Sequence, residues 1–225
     1  MADLKKRNNM ITIAEDYFSF YETFKSKYSV ILKNKNIGIL SEFLDNKNHI
    51  IEFHKRYVQS NSPKVVICGI NPGRFGAGKT GIPFIDFNSL SQMLPNIEKK
   101  EAEKSAKFFF SIVQEFGVDT FYQKFHVTNM SWYGFYHLKT RKNINYNNLP
   151  TEIQNLLIDK FLEEMRFINP DVIIPVGDIV NWELLCNPNV KSRLTAKIAP
   201  RLYHPAYRLV DKKTYMKTLT EYLSN

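Results

Sequence analysis

The sequence holds only two cysteines, Cys68 and Cys186, in 225 residues. Two thiols are too few for a disulfide framework, a four-thiolate zinc site or a thiolate-held iron–sulfur cluster within one chain. None of the five histidines (His49, His54, His126, His137, His204) stands at metal-ligand spacing from a second ligand, so neither a metal nor a cofactor is expected. Long apolar runs are missing too. A Lys5-Lys6-Arg7 cluster opens the chain, but Glu15 and Asp16 cut the apolar stretch behind it. Neither a signal peptide nor a transmembrane helix is therefore expected, and the expectation is a cytoplasmic protein without a membrane partner. Glycine and proline, 9 and 10 residues, are scattered and form no linker, and no low-complexity tract or solenoid-length repeat occurs. One domain over residues 1–225 is expected, a helical N-terminal section at 1–60 and a core at 61–225, acting as a monomer. Acidic residues are outnumbered, 22 against 31 Lys and Arg, and the net charge of +9 suits an anionic partner or simple solubility.

What is present is enough for a core: 44% of the residues are hydrophobic and 14% aromatic. Apolar residues at helical intervals (Phe18, Tyr21, Phe24; Ile39, Leu40, Phe43, Leu44) predict helices across 11–60. Lys64 to Gly69 holds the continuous run Val65-Val66-Ile67-Cys68, the mark of a strand buried on both faces, and Asp171 to Gly177 is a second such run. Phe125 to Asn129 predicts a third strand and Ala196 to His204 a fourth, while Glu101 to Phe116 and Thr151 to Phe167 read as amphipathic helices. Strands alternating with helices predict an α/β fold, three layers around a central parallel four-stranded sheet. The ligand site of such a fold lies beyond the carboxyl ends of the strands. The unusual segments Asn71 to Phe84, Asn129 to Tyr136 and His204 to Arg208 fall there. Charge is uneven: Lys191 to Lys217 carries eight basic residues and one acid around His204, whereas 148–185 carries seven acids and two bases.

Gly73 to Thr80 matches G-x-x-x-x-G-K-[ST], the phosphate-cradling loop of nucleotide triphosphatases. That chemistry needs a helix running onward from Lys79 and Thr80, and Gly81 and Pro83 stand there instead. Asp178, the candidate magnesium ligand, is separated from its strand by Gly177.

Read as a longer unit, Gly69-Ile70-Asn71-Pro72-Gly73, then Phe75-Gly76, then Thr80-Gly81-Ile82-Pro83-Phe84 resembles the first motif of single-strand-selective monofunctional uracil-DNA glycosylases, within the uracil-DNA glycosylase superfamily. Phe125-His126-Val127-Thr128-Asn129 resembles the strand that ends in a base-reading Asn, and His204-Pro205 resembles the second catalytic motif. The N-terminal 60 residues carry no matching motif. The resemblance implies a base-excision enzyme acting on uracil-containing DNA, single- or double-stranded, by base flipping and with no lyase step. In it Asn71 and His204 are the catalytic pair. Asn71 orients water toward the sugar cation left as the base departs. His204 donates a hydrogen bond to uracil O2 as negative charge builds there. Phe84, Asn129, Gly73 and Ile70 form the uracil-binding set. Phe84 stacks on the base, and Asn129 matches uracil N3–H and O4 where cytosine offers the reverse polarity. A site matched in this way discriminates by roughly 10⁴ to 10⁵. The absent side chain at Gly73 leaves open the wall beside the pyrimidine 5-position, which the family links to 5-hydroxymethyluracil. Gly76 and Gly78 let backbone approach the ligand. Tyr207, Arg208, Lys212 and Lys213 are the implied DNA contacts, at a place where the family has His-Pro-Ser and this chain has Ala206. The aromatic group Trp132, Tyr133, Phe135 and Tyr136 reads as core or pocket wall. Two alternatives stay open: a triphosphatase using Gly73 to Thr80, and a catalytically silent DNA-binding relative.

Overall fold

Apolar runs flanked by turn residues set the strands of the protein, and amphipathic segments set its helices. The structure, a computed structural model, describes residues 2–57 and 65–223, with side chains from residue 14 onward. In chain order the elements are α1 (Ala2–Asn34), β1 (Ile37–Ile39), α2 (Lys47–Tyr57), β2 (Val65–Gly69), α3 (Ala77–Thr80), α4 (Phe87–Leu90), α5 (Lys104–Phe116), α6 (Val118–Lys124), β3 (Phe125–Asn129), β4 (Phe135–His137), β5 (Asn143–Ile144), α7 (Thr151–Ile168), β6 (Val172–Pro175), α8 (Asp178–Cys186), α9 (Pro188–Lys191), β7 (Lys197–Ile198) and α10 (Lys212–Glu221). Short 3-10 turns occupy Glu42–Asn46 and Tyr146–Asn148.

The main sheet has the order β3-β2-β6-β7, and every pairing in it is parallel. All five residues of β2 and of β3 are buried, which is why both read as unbroken runs rather than as alternating ones. The register sets Gly69 opposite Asn129, so the last residues of the two central strands emerge side by side. The fourth strand is shorter than Ala196 to His204. Only Lys197 and Ile198 pair with β6, and a single bridge from Val176 to Leu202 continues the edge. Helix α5 begins at Lys104 rather than Glu101, because the Glu103 carboxylate accepts the Ala106 N–H and caps it.

The N-terminal section is helical, as α1 and α2 show, with one short strand between them. Asn36, with φ of +58°, turns the chain out of α1, and Ile37–Ile39 then pairs antiparallel with β4. With β5 this makes a second, three-stranded sheet of order β1-β4-β5. Ile39 lies in β1 while Phe43 and Leu44 lie in the 3-10 turn behind it, so one-sided burial alone produced their helix-like spacing. The expected boundary at 60/61 and Lys64 lie outside the described residues.

An aromatic shell joins this section to the rest. The Tyr133 ring is 5.1–5.7 Å from the rings of Tyr17, Phe20, Tyr21 and Phe24 and is stacked on Phe43 at 6.2 Å. The Tyr133 hydroxyl donates to the Tyr17 carbonyl at 2.7 Å, and the Tyr17 hydroxyl donates to the Trp132 carbonyl at 3.1 Å. Each such ring pair adds about 0.5–1.5 kcal/mol beyond its buried area. Trp132, Tyr133 and Phe135 are thus core, and Tyr136 is half-buried. Among the described residues no helix is long and apolar enough to cross a membrane.

Candidate active site

Parallel strands deliver their carboxyl ends to one edge, and a cleft of about 230 Å³ opens there. It is lined by Ile70, Asn71 and Gly73 from the loop after β2, Phe84 at that loop's end, Asn129 at the end of β3, and His204 from the loop after β7. Residues 134 positions apart in sequence thereby share one space. Glu103, Ser105, Asn143 and Asn145 complete the polar lining. Sequence reading passed over these four.

The carboxamide of Asn71 is gripped by the segment after β5. Its Oδ1 accepts the Tyr146 N–H at 3.1 Å, and its Nδ2 lies 3.3 Å from the Pro72 carbonyl and 3.5 Å from the Ile144 carbonyl. One lone pair on Oδ1 is left to accept from a third group. Beside it, Gly69 allows a close approach that no other residue could. A Cβ built there would fall 2.3 Å from Asn129 Oδ1 and 2.7 Å from Phe84 Cζ. Phe84 reaches this place with φ of +58°, a left-handed backbone costing an aromatic residue roughly 1–3 kcal/mol, and its ring stacks on Phe109 at 4.8 Å. At Gly73 the space is open, the nearest atom to a built Cβ being Asn143 Nδ2 at 3.7 Å.

The imidazole of His204 is set by its own loop. Nδ1 accepts the Ala206 N–H at 3.1 Å, so in the neutral ring the proton sits on Nε2. Burial lowers the pKa of His204 below the usual histidine value, and the negative charge of Glu103 opposes that shift in part. The ring is therefore neutral at neutral pH and presents an N–H donor. Phe84 lies 6.3 Å away, centroid to centroid.

The phosphate-loop match dissolves in three dimensions. Helix α3 is a single turn of four residues, ended by Gly81 at φ of +73°. The Lys79 ammonium is held by Glu101 and lies 3.6 Å from Glu42, and the buried Thr80 hydroxyl donates to the Ile85 carbonyl at 2.6 Å. Asp178 is paired with Arg201 at 2.6 Å. No group of this set is left to meet a triphosphate and its magnesium. Gly78 is likewise explained without a ligand, since a Cβ there would strike Leu40 and the Gly73 carbonyl. Gly76 does line the cleft.

Tyr207, Arg208, Lys212 and Lys213 do not line the cleft; they follow His204 on the adjoining loop and the first turn of α10. Tyr207 is exposed and stacked on Tyr203 at 5.1 Å. The basic stretch is less bare than its sequence implies, because Arg193, Arg201 and Lys212 pair with Asp159, Asp178 and Glu115 at 2.6–2.9 Å. Among the described residues no three His, Cys, Asp or Glu side chains are placed to hold a metal ion.

Behind the cleft, sharing Pro72 and Asn129 as walls, is a second cavity of about 50 Å³ lined in part by His54, His126, Trp132 and Glu164. The buried Glu164 carboxylate accepts from His126 Nε2 at 2.7 Å, Thr128 Oγ1 at 2.9 Å and Trp132 Nε1 at 2.7 Å, tying α7 to β3 and the turn after it. The Nδ1 atom of His54 is buried without a partner, and burial lowers the pKa of this ring to about 4. The folded value lies below the unfolded value of about 6.5, so this stabilisation is complete above pH 6.5 and declines as pH falls toward 4. At 1.36 kcal/mol per unit, the full decline amounts to about 3 kcal/mol. Urea unfolding at pH 7 and pH 4.5 should show the wild type losing most of that amount relative to His54→Gln. Equal losses in both proteins would refute it.

Comparison with known proteins follows the same lines. The family model "Uracil DNA glycosylase superfamily" matches residues 56–224. Among solved structures, the crystal structure of wild-type SMUG2 from Pedobacter heparinus superposes with a TM-score of 0.70 and 25% sequence identity, covering 84% of this chain and 88% of that one. No curated protein matches the chain in sequence.

Proposed function

The chain belongs to the uracil DNA glycosylase superfamily, and from that premise we propose that it removes uracil from DNA by hydrolysing the bond between base N1 and deoxyribose C1′. The nucleotide is flipped out of the strand into the cleft. Its ring lies on the face of Phe84, with Ile70 and Gly73 as neighbouring walls. The Asn129 carbonyl accepts from N3–H and its amide donates to O4, a pattern that cytosine mismatches. As the C1′–N1 bond breaks, its electron pair leaves with the base, and the Nε2–H of His204 meets the charge gathering on O2. The remaining lone pair of Asn71 Oδ1 orients the water that adds to C1′. The products are free uracil and an abasic site. Absence of lysine from the described lining of the cleft supports hydrolysis without a lyase step, which would need an amine nucleophile.

The observation that carries this reading is the convergence of Asn71, Phe84, Asn129 and a neutral, Nε2-protonated His204 on one cleft. The open space at Gly73 supports 5-hydroxymethyluracil as a second substrate. Tyr207, Arg208, Lys212 and Lys213 contact the DNA beside the flipped nucleotide, the cations acting on phosphates. The enzyme works as a cytoplasmic, single-domain monomer without metal or cofactor.

The test is incubation with single- and double-stranded oligonucleotides carrying one uracil, followed by alkali cleavage at abasic sites. Cleavage at uracil and none at cytosine is expected. DNA binding that weakens with salt but yields no abasic product, a result that Ala206 would then help to explain, would replace the enzyme with a silent relative.

A further inference from the structure

We propose that Glu103 is a further catalytic residue of this cleft, a carboxylate that faces the deoxyribose, stabilises the positive charge developing at C1′ and accepts the proton of the attacking water. The inference rests on the glycosylase reading and deepens it.

Little else in the cleft could take that proton. Asn71, Asn129, Asn143 and Asn145 carry carboxamides, which are not bases at neutral pH. The Ser105 hydroxyl donates its own hydrogen to Glu103 Oε1 at 2.7 Å. The basic lone pair of His204, on Nδ1, is occupied by the Ala206 N–H, and its other nitrogen already holds a proton. Glu103 is the one proton acceptor left among the described lining residues, and the one side chain there with a formal charge at neutral pH.

Its placement is built rather than incidental. The Glu103 N–H donates to Asp86 Oδ2 at 2.6 Å, and Asp86 is itself buried with Oδ1 accepting the Ser89 N–H at 2.7 Å. Glu103 Oε2 accepts the Ala106 N–H at 2.9 Å. Both oxygens are thereby fixed, and each keeps a lone pair for the cleft. Preorganisation of this kind makes a charge effective at the moment of reaction. Glutamate is not among the preferred N-cap residues, which are shorter, so capping α5 alone does not account for the choice. Gly76, on the loop that carries Asn71, faces this carboxylate: a Cβ built there would lie 3.5 Å from Glu103 Oε2, an ordinary contact distance. The base-reading groups Asn129 and Phe84 instead meet at Gly69, which leaves the Gly76 side to the sugar and its water.

The step balances simply. The C1′–N1 bond breaks and its pair departs with the uracil anion; a water oxygen bonds to C1′; the water proton passes to Glu103, which later returns it to solvent or to the released base.

The test compares wild type, Glu103→Gln and Glu103→Asp in single-turnover excision on uracil DNA, with DNA affinity and thermal midpoint measured alongside. Gln keeps the length and an oxygen for the cap but removes the charge; Asp keeps charge and cap but withdraws by one methylene. Glu103→Gln should lose about 100-fold in rate, the scale of general-base catalysis, while binding DNA within threefold of wild type. Glu103→Asp should lose about tenfold. Should Glu103→Gln fail to fold, Glu103→Asp decides. A Gln variant within threefold of wild type, or an Asp variant at full rate, would each overturn the proposal. An inactive wild type would instead overturn the glycosylase reading beneath it.

Discussion

Gly69→Ala should yield a folded protein that no longer excises bases efficiently. The added methyl would stand 2.3 Å from Asn129 Oδ1 and 2.7–2.9 Å from the outer edge of the Phe84 ring, distances at which both must move. Neither obstacle is backbone, so the strand can remain, at a stability cost of about 1–3 kcal/mol for overpacking. The two displaced groups are the ones proposed to stack on the base and to read it. Misplacement by about 1 Å costs on the order of 100-fold in rate, and here two groups shift together. Single-turnover excision should therefore fall at least 100-fold, with the uracil-over-cytosine preference reduced in the residual activity. A variant that excises uracil at the wild-type rate would show that Asn129 and Phe84 do not form the base pocket.

Asn71→Ala should be as damaging for a different reason. The substitution removes the oxygen proposed to orient the water without adding bulk, and loss of one preorganised polar group of this kind costs roughly 10² to 10³ in rate. It also leaves the Tyr146 N–H without its acceptor, worth about 1–3 kcal/mol if that group stays buried. DNA affinity should stay within threefold of wild type, because the carboxamide is not among the proposed phosphate contacts. Measuring excision and binding on one oligonucleotide separates these effects, and an unchanged rate would remove Asn71 from the chemistry.

The parts of this protein that were legible in its sequence are those whose surroundings are uniform. β2 and β3 are buried along their whole length, so five consecutive residues of each declare the strand and Asn71 and Asn129 follow from where it stops. The parts that stayed hidden depend on a partner far away in sequence. β1, β4 and β5 have two or three residues each and exist because they pair with one another, which leaves no periodicity to read. Glu103 sits in a run of Glu and Lys between residues 98 and 107 that looks like a solvated face, and its bonds to the distant, buried Asp86 and to Ser105 and Ala106 are not visible in that run. Asn143 and Asn145 lie in an asparagine-rich stretch that reads as a loop until the backbone around Ile144 is seen gripping Asn71. The phosphate-loop pattern failed in the opposite direction: its spacing was visible, but the acids that engage Lys79, Glu101 and Glu42, are 22 and 37 residues away.

The antiparallel pairing of β1 with β4 reaches beyond the span that the family model matches. The family footprint starts at residue 56, yet Ile37–Ile39 braces the hairpin whose outer strand leads directly into the grip on Asn71. The segment with no motif of its own thus buttresses, through β4 and β5, the wall that holds the Asn71 carboxamide.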